Sequence, residues 1–366
     1  MAACVIERRV LPKGRRILVV SDIHGALDYL RGLLEQLRFC EDDLLILNGD
    51  MLEKGPRSLD TLRYIVRLSR THAVWPVMGN CDGLERLFLD AAPVRNFDAR
   101  EFMVNGRAGW QTGLLRQMAD EMGYPVSLDM DIDAYREAVF EHYAEEVDWL
   151  KRLPHILETP DYTFVHGGLP EGDPSGWDAF KVMKYDYFAS QGRRFDKWVI
   201  VGHTPCVLYR EDITCANPII DRDSRIVSID GGCVLKDDGQ LNALVIPEAG
   251  SQDFTFESWD PFPVRRVKTA QRGSEKSYYI RWGDNWVSVL SRGAEFSRVR
   301  HERTGYEMDV LTRFLKGPGD RVRVNDCTDY VPPLEPGDEV RVVAETSRGF
   351  MIKRNGVSGW YFGELE

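Results

Sequence analysis

Asp22 and His24 stand two residues apart in the stretch ILVVSDIHG, at the end of an aliphatic run formed by Ile17, Leu18, Val19 and Val20. Residues two apart on an extended segment project to the same side. A carboxylate oxygen beside an imidazole nitrogen suits a divalent transition metal better than calcium or magnesium alone. The pair says little by itself, because any strand end running into a loop can carry the same letters. Four more residues give it weight. Asp50 follows Leu44-Leu45-Ile46-Leu47, Asn80 follows Ala73 to Met78, His166 follows Tyr162 to Val165, and His203 follows Trp198 to Val201. Two metals about 3.5–4 Å apart need a bridging carboxylate, imidazoles and open positions for water. Asp50 can bridge through its two oxygens, and Asn80 adds a neutral amide oxygen. Such a pair would acidify a bridging water and neutralise phosphoryl oxygens as that water attacks.

The elements around these residues repeat a rhythm. Leu27 to Phe39 carries leucines at helical spacing, as does Ser58 to Ser69, and each follows one of the aliphatic runs. Three strand–loop–helix units in succession predict a parallel or mixed sheet with helices outside. Ligands gather at the carboxyl ends of such strands, where the polar clusters fall. Residues 92–153 break the rhythm with helical patterns at Gly113 to Met122 and Ile132 to Leu153. They read as a helical insertion able to overhang the site. Ile226 to Cys233 and Leu241 to Ile246 predict further strands, antiparallel across the turn Lys236-Asp237-Asp238-Gly239. Pro247 to Pro263 reads as a linker. Beyond it, short strands with Gly, Asn and Asp turns predict a small β-barrel or sandwich.

Composition narrows the class. The chain has 366 residues, 43% hydrophobic and 29% charged, as in an ordinary soluble protein. No apolar run reaches the roughly 18 residues of a membrane span, and MAACVIERRV lacks the apolar core of a signal peptide. Seven cysteines (4, 40, 81, 206, 215, 233 and 327) are scattered without disulfide or zinc-finger spacing. The expected compartment is therefore the reducing cytoplasm. A net charge of −11 argues against general nucleic-acid binding. Residues 265–323 nevertheless hold 14 Lys/Arg against 7 Asp/Glu, which reads as a solvated or domain-contacting face.

In order, SDIHG, NGDMLEKG, GNCDG, VHGG and VGHTP resemble the calcineurin-like metallophosphoesterases, and in particular the phosphoprotein phosphatase branch with its bacterial protein-phosphatase and diadenosine-tetraphosphatase members. Trp149 to Pro154 and Ile229-Asp230-Gly231-Gly232-Cys233 add to the likeness, which covers roughly residues 15–247. The resemblance implies an αββα sandwich and two divalent metal ions, manganese first, with iron, zinc and nickel also accepted. It assigns Asp22, His24 and Asp50 to the first metal, and Asp50, Asn80, His166 and His203 to the second. Pro205 stands where more distant members carry another histidine, which again favours the phosphatase branch.

Two departures bear on the reaction. The branch reads GNHE or GNHD where this chain has Gly79-Asn80-Cys81-Asp82, so Cys81 replaces the general-acid histidine. GDxVDRG has become Gly49 to Gly55 with Glu53 and Lys54, so the acid that would orient that histidine is Glu53 and the phosphate-gripping arginine is a lysine. Lysine offers a point charge where arginine offers a fork. Lys184, Arg193 and Arg194 are candidates for a second anion contact, and Cys81, Asp82, Glu53 and Asp50 for the catalytic set. The expected activity is that of a phosphomonoesterase of serine/threonine protein-phosphatase type, on a phosphorylated protein or a small phosphoester. Alternatives are a phosphodiesterase or dinucleoside-polyphosphate hydrolase, favoured by Cys81, and a catalytically weak scaffold that recognises phosphate.

The expected domains are residues 1–250, a linker and β-rich connection at 251–320, and a terminal module at 321–366. Pro336 to Val343 and Lys353 to Tyr361 resemble an SH3-type barrel. Such modules take proline-rich peptides in aromatic grooves, which Trp360, Tyr361 and Phe350 could line. In the other reading Trp360 and Tyr361 are barrel core.

Overall fold

The computed structural model describes residues 4–91, 98–106, 110 and 112–366. The chain forms two compact units, one of residues 1–205, 218–235 and 239–260, the other of 206–217, 236–238 and 261–366.

In chain order the first unit holds β1 (Ile6–Arg8), β2 (Ile17–Val20), α1 (Leu27–Gln36), β3 (Leu44–Asn48), α2 (Ser58–Thr71), β4 (Ala73–Val77), α3 (Asp82–Leu89), α4 (Ala99–Asn105), α5 (Leu114–Met122), α6 (Ile132–His142) and α7 (Ala144–Lys151). It continues with β5 (Ile156–Glu158), β6 (Tyr162–Val165), α8 (Ala179–Met183) and β7 (Trp198–Val201). Past β8 (Thr214–Cys215), which belongs to the second unit, come β9 (Ile219–Asp221), β10 (Ile226–Ser228), β11 (Leu241–Ile246) and β12 (Thr255–Trp259). One sheet runs β12-β11-β2-β3-β4 and the other β1-β5-β6-β7-β10-β9. Strands β2, β3 and β4 are mutually parallel, as are β6, β7 and β10.

The aliphatic runs show no polar alternation because both faces of their sheets are covered. Ile17, Val19, Leu44 and Ile46 share a core with Tyr162, Phe164, Ile200 and Val227 from the opposite sheet. Their neighbours Leu18, Val20, Leu45 and Leu47 turn to Leu30, Leu62 and Ile65 of the helices. On the far side, Val165, Val199 and Val201 pack with Val182 of α8. This is αββα layering, and each such side chain contributes about 1.5–3 kcal/mol on burial. Asn48, at the end of β3, ties the two sheets together by donating its side-chain amide to Val165 O at 3.2 Å and Ile200 O at 3.1 Å.

Four helices, α4 to α7, occupy the expected insertion. Residues 92–97, 107–109 and 111 of that stretch lie outside the described residues. The pattern read as one helix from Ile132 to Leu153 is two, because Tyr143 leaves helical geometry (φ −123°, ψ 37°).

The second unit is β-rich. One sheet pairs the strands at Val264–Arg266, Glu339–Thr346, Gly349–Arg354 and Val357–Tyr361 with β8. Another pairs the strands at Glu307–Leu311, Phe296–His301, Trp286–Ser291, Arg321–Val324 and Leu315–Lys316. The boundary expected at 320/321 therefore falls inside a sheet, since Trp286 pairs with Arg323 across it. The segment read as connector is structural. Trp360 is buried and donates its indole N–H to Thr328 O at 2.8 Å, and Tyr361 is fully buried. These two aromatics are core, and a peptide groove built on them is not supported. Four cations of the arginine-rich stretch are paired within it: Arg298, Arg300, Arg303 and Arg321 with Asp309, Glu307, Asp284 and Glu302. Among the described residues no helix is long and apolar enough to cross a membrane.

Candidate metal centre

Five strand ends of the first unit converge. The turns after β2, β3, β4, β6 and β7 carry Asp22 and His24, Asp50, Asn80, His166, and His203 respectively. Asp22, His24, Asp50 and His203 all have positive φ, between 50° and 68°. That region is sparsely populated for residues with side chains, and strain of this kind concentrates at functional sites. The glycines before the motif residues make room for the convergence. A Cβ on Gly79 would stand 2.2 Å from Asp50 Oδ1, and one on Gly202 would stand 2.3 Å from Asp22 Oδ2.

Asp50 is the hinge of the cluster. Two groups of possible metal ligands share it: His24, Asp50 and Cys81, and Asp50, His166 and His203, with the ligand atoms of each group within 4.8 Å of one another. Asp50 Oδ1 accepts the Cys81 N–H at 2.8 Å and stands 3.3 Å from His166 Nε2. His24 Nε2 stands 3.7 Å from Asp22 Oδ1 and 3.8 Å from Asp50 Oδ2. Asp22 Oδ2 is occupied, by Ser21 Oγ at 2.6 Å and the His203 N–H at 3.1 Å.

The remaining atoms fit a metal pair. Asp22 Oδ1, Asp50 Oδ2, Asn80 Oδ1 and His166 Nε2 are buried without a hydrogen-bond partner among the described residues. Buried polar atoms are seldom left so. His166 is oriented from behind, with Nδ1 3.0 Å from Asn48 O, which turns Nε2 toward Asp50. His203 Nε2 lies 2.7 Å from Asp186 Oδ1, which leaves the other ring nitrogen for a ligand bond.

The chain's own charges balance the cluster without a metal. Burial opposes a charge on His166, but the Asp50 and Asp22 carboxylates raise its pKa to about 10. Burial likewise opposes the Asp50 carboxylate, yet His166, Lys54 and His24 hold its pKa well below the usual range. Burial together with the His166 charge pushes His203 down to about 4. Binding divalent ions here would release protons, as such sites do.

Lys54 lies at the centre, its Nζ 3.1 Å from His24 Nε2, 3.7 Å from Asp50 Oδ2 and 5.6 Å from the Trp110 ring centroid. Lys184 is exposed. Arg193 stacks on Phe195 and Phe188 and donates to Leu169 O. Arg194 is exposed and acts on Asp221 of β9. Among the described residues none of these three makes a hydrogen bond or ion pair with the cluster, so Lys54 is the cation the fold brings to it.

Two expected catalytic carboxyls are turned elsewhere. Asp82 accepts backbone N–H groups from Met51 at 3.0 Å, Leu52 at 3.1 Å and Gly79 at 2.9 Å, clamping the Asp50 loop to the Asn80 loop. Glu53 accepts the Leu114 N–H at 2.6 Å, at the start of α5, and ties the helical insertion to the Asp50 loop. With a cysteine at 81 there is no imidazole for Glu53 to orient. Glu85 is buried beside it, and burial with the Glu53 charge raises its pKa well above the carboxylate range. Asn48, Asp186 and Glu85 were not singled out from the sequence. Asn48 stood in the motif NGD as a signal. Asp186 sits in the loop that follows α8, with no pattern to mark it.

Over 277 residues the chain is 24% identical to the asymmetrical bis(5'-nucleosyl)-tetraphosphatase of Bacillus velezensis, covering 68% of this chain and 96% of the relative. Over 65 residues it is 45% identical to the symmetrical bis(5'-nucleosyl)-tetraphosphatase of Salmonella newport, covering 18% and 22%. Among solved structures, a protein serine/threonine phosphatase of Saccharomyces cerevisiae aligns with a TM-score of 0.42 at 12% identity, over 71% of this chain and 84% of that one. A metallophosphoesterase of Sphaerobacter thermophilus aligns with a TM-score of 0.38 at 17% identity, over 68% and 89%. The family model described as calcineurin-like phosphoesterase matches residues 15–212, more than half of the sequence, and this chain is a hydrolase of that family.

Proposed function

We propose that this chain is a dinuclear-metal hydrolase of phosphoanhydride bonds, with dinucleoside polyphosphates as its substrate class. Asp22, His24 and Asp50 would hold one divalent ion, and Asp50, Asn80, His166 and His203 the other. Bound there, the ions would supply an acidified water as nucleophile and neutralise the phosphoryl oxygens as that water attacks phosphorus. The Lys54 ammonium binds a non-bridging or leaving oxygen, its charge sustained against burial by the Asp50 and Asp22 carboxylates.

One observation carries the choice of substrate. The position of the general-acid histidine is Cys81, fully buried, with its sulfur within the ligand cluster. The neighbouring carboxyls Asp82 and Glu53 are engaged by backbone amides. A serine alkoxide leaves poorly without a proton, and positioned acids contribute about 10²–10⁴-fold. A nucleotide phosphate, with a second pKa of about 6, leaves as an anion that Lys54 can receive. The names of the Bacillus and Salmonella relatives support the same class.

The test is hydrolysis of diadenosine tetraphosphate, p-nitrophenyl phosphate, bis-p-nitrophenyl phosphate and a phosphoserine peptide, each with Mn²⁺. We expect kcat/KM on the tetraphosphate to exceed that on the peptide by about a hundredfold or more. The second reading is a protein-phosphatase-type phosphomonoesterase, which would use the same candidate ligands. It stands instead if the peptide is turned over faster.

A further inference from the structure

We infer that Cys81 is a sulfur ligand of the first metal, completing an Asp22–His24–Asp50–Cys81 set. The inference rests on the metal-centre reading above. The ligand atoms of His24, Asp50 and Cys81 all lie within 4.8 Å of one another, and all three residues are buried to 1% exposure or less. Cys81 is held there by its own backbone, whose N–H donates to Asp50 Oδ1 at 2.8 Å. Its sulfur is 3.4 Å from Asn80 Nδ2, so the amide that offers Oδ1 to one metal steadies the thiol beside the other. Asp22 Oδ1 and Asp50 Oδ2, 3.7 and 3.8 Å from His24 Nε2, are among the buried oxygens with no hydrogen-bond partner among the described residues. The other six cysteines belong to no such ligand group among the described residues.

The chemistry follows from ligand type. Three hard or borderline donors leave the first position receptive to manganese, whereas a thiolate shifts preference toward softer zinc, cobalt and iron. The thiol proton leaves to solvent as the ion binds. Cysteine at this position therefore acts as a metal selector, and the lost proton donor and the gained donor atom are two sides of one substitution.

The test is cobalt loading of the full-length metal-free protein, read by absorption. A thiolate bound to Co²⁺ gives near-ultraviolet charge transfer in addition to the visible d–d bands. We expect both in the wild type, with charge transfer lost and d–d bands retained in Cys81→Ser. The ratio of zinc to manganese affinity should fall roughly tenfold or more in that variant. Zinc-edge X-ray absorption on the wild type needs no variant, and should show a sulfur neighbour at about 2.3 Å. Visible bands without charge transfer, or nitrogen and oxygen neighbours alone, overturn the inference and leave the metal centre standing. Failure to take up cobalt or zinc at all overturns both.

Discussion

Asp186→Ala should weaken the second metal without unfolding the protein. The carboxylate meets His203 Nε2 at 2.7 Å, from a side chain 57% exposed, while His203 is 11% exposed. A hydrogen bond to a charged group is worth about 1.5–3 kcal/mol, and the solvent exposure of Asp186 discounts this to about 1–2 kcal/mol. That corresponds to roughly 5–30-fold in affinity, the lower part of the 10–100-fold range for residues that orient metal-bound histidines. Competition titration with a chromogenic chelator should show one of two Mn²⁺ sites weakened by this factor. Asp186→Asn, which keeps an acceptor at Oδ1, should fall between. Urea unfolding of the metal-free protein should move by no more than the roughly 1–2 kcal/mol assigned to the bond, so the variant stays folded. Equal Mn²⁺ affinity in wild type and Asp186→Ala would refute the assignment of His203 as a ligand held by Asp186.

Asn48→Ala removes both bonds that its side chain donates across the sheets, at about 1–3 kcal/mol for each acceptor lost, so the unfolding free energy from urea melts should fall by about 2–6 kcal/mol at unchanged m. Lys54→Met should lower kcat/KM on the tetraphosphate by on the order of 10²-fold, with Lys54→Arg recovering part of it in a steady-state assay. His155 is buried and its Nδ1 accepts the Val5 N–H at 2.9 Å, and burial followed by the Arg86 charge lowers its pKa to about 4. Its folded pKa lies below the unfolded value of about 6.5, so its stability contribution is intact above that pH. That contribution is lost as pH falls toward 4, by up to about 3 kcal/mol, and pH-dependent urea melts of wild type and His155→Asn should differ across that window. Gly32→Ala in α1 should cost about 1–3 kcal/mol in a thermal melt, because its Cβ would lie 2.2 Å from the Trp259 ring.

The sequence was most readable where one residue type has one physical use. Doubly covered strands must be apolar throughout, so Ile17–Val20, Leu44–Asn48 and Trp198–Val201 announce themselves, and the polar residues that end them mark the site. Two of the ligand groups so marked, His24 with Asp50 and Asp50 with His166 and His203, lie close together in the fold. Side-chain direction was less legible. Asp82 and Glu53 stand beside the candidate ligands in the chain yet face backbone amides, since a loop's turn decides where a carboxyl points. Arg193 precedes β7, as an anion contact should, but two phenylalanines hold it. In the second unit, Phe296–His301 alternates inward Ser297, Val299 and His301 with outward arginines. That period-two signal is hidden by charge, because outward arginines paired with Glu307 and Asp309 read as a solvated stretch.

Metal content against the shared carboxylate is the most direct test of the dinuclear assignment. Purified protein, stripped and reloaded with Mn²⁺ or Zn²⁺, is measured by elemental analysis beside Asp50→Asn, with turnover of diadenosine tetraphosphate followed on the same samples. A bridging Asp50 predicts two ions per chain in the wild type, loss of at least one in the variant, and turnover lost with it. Two ions and undiminished turnover in Asp50→Asn would contradict it.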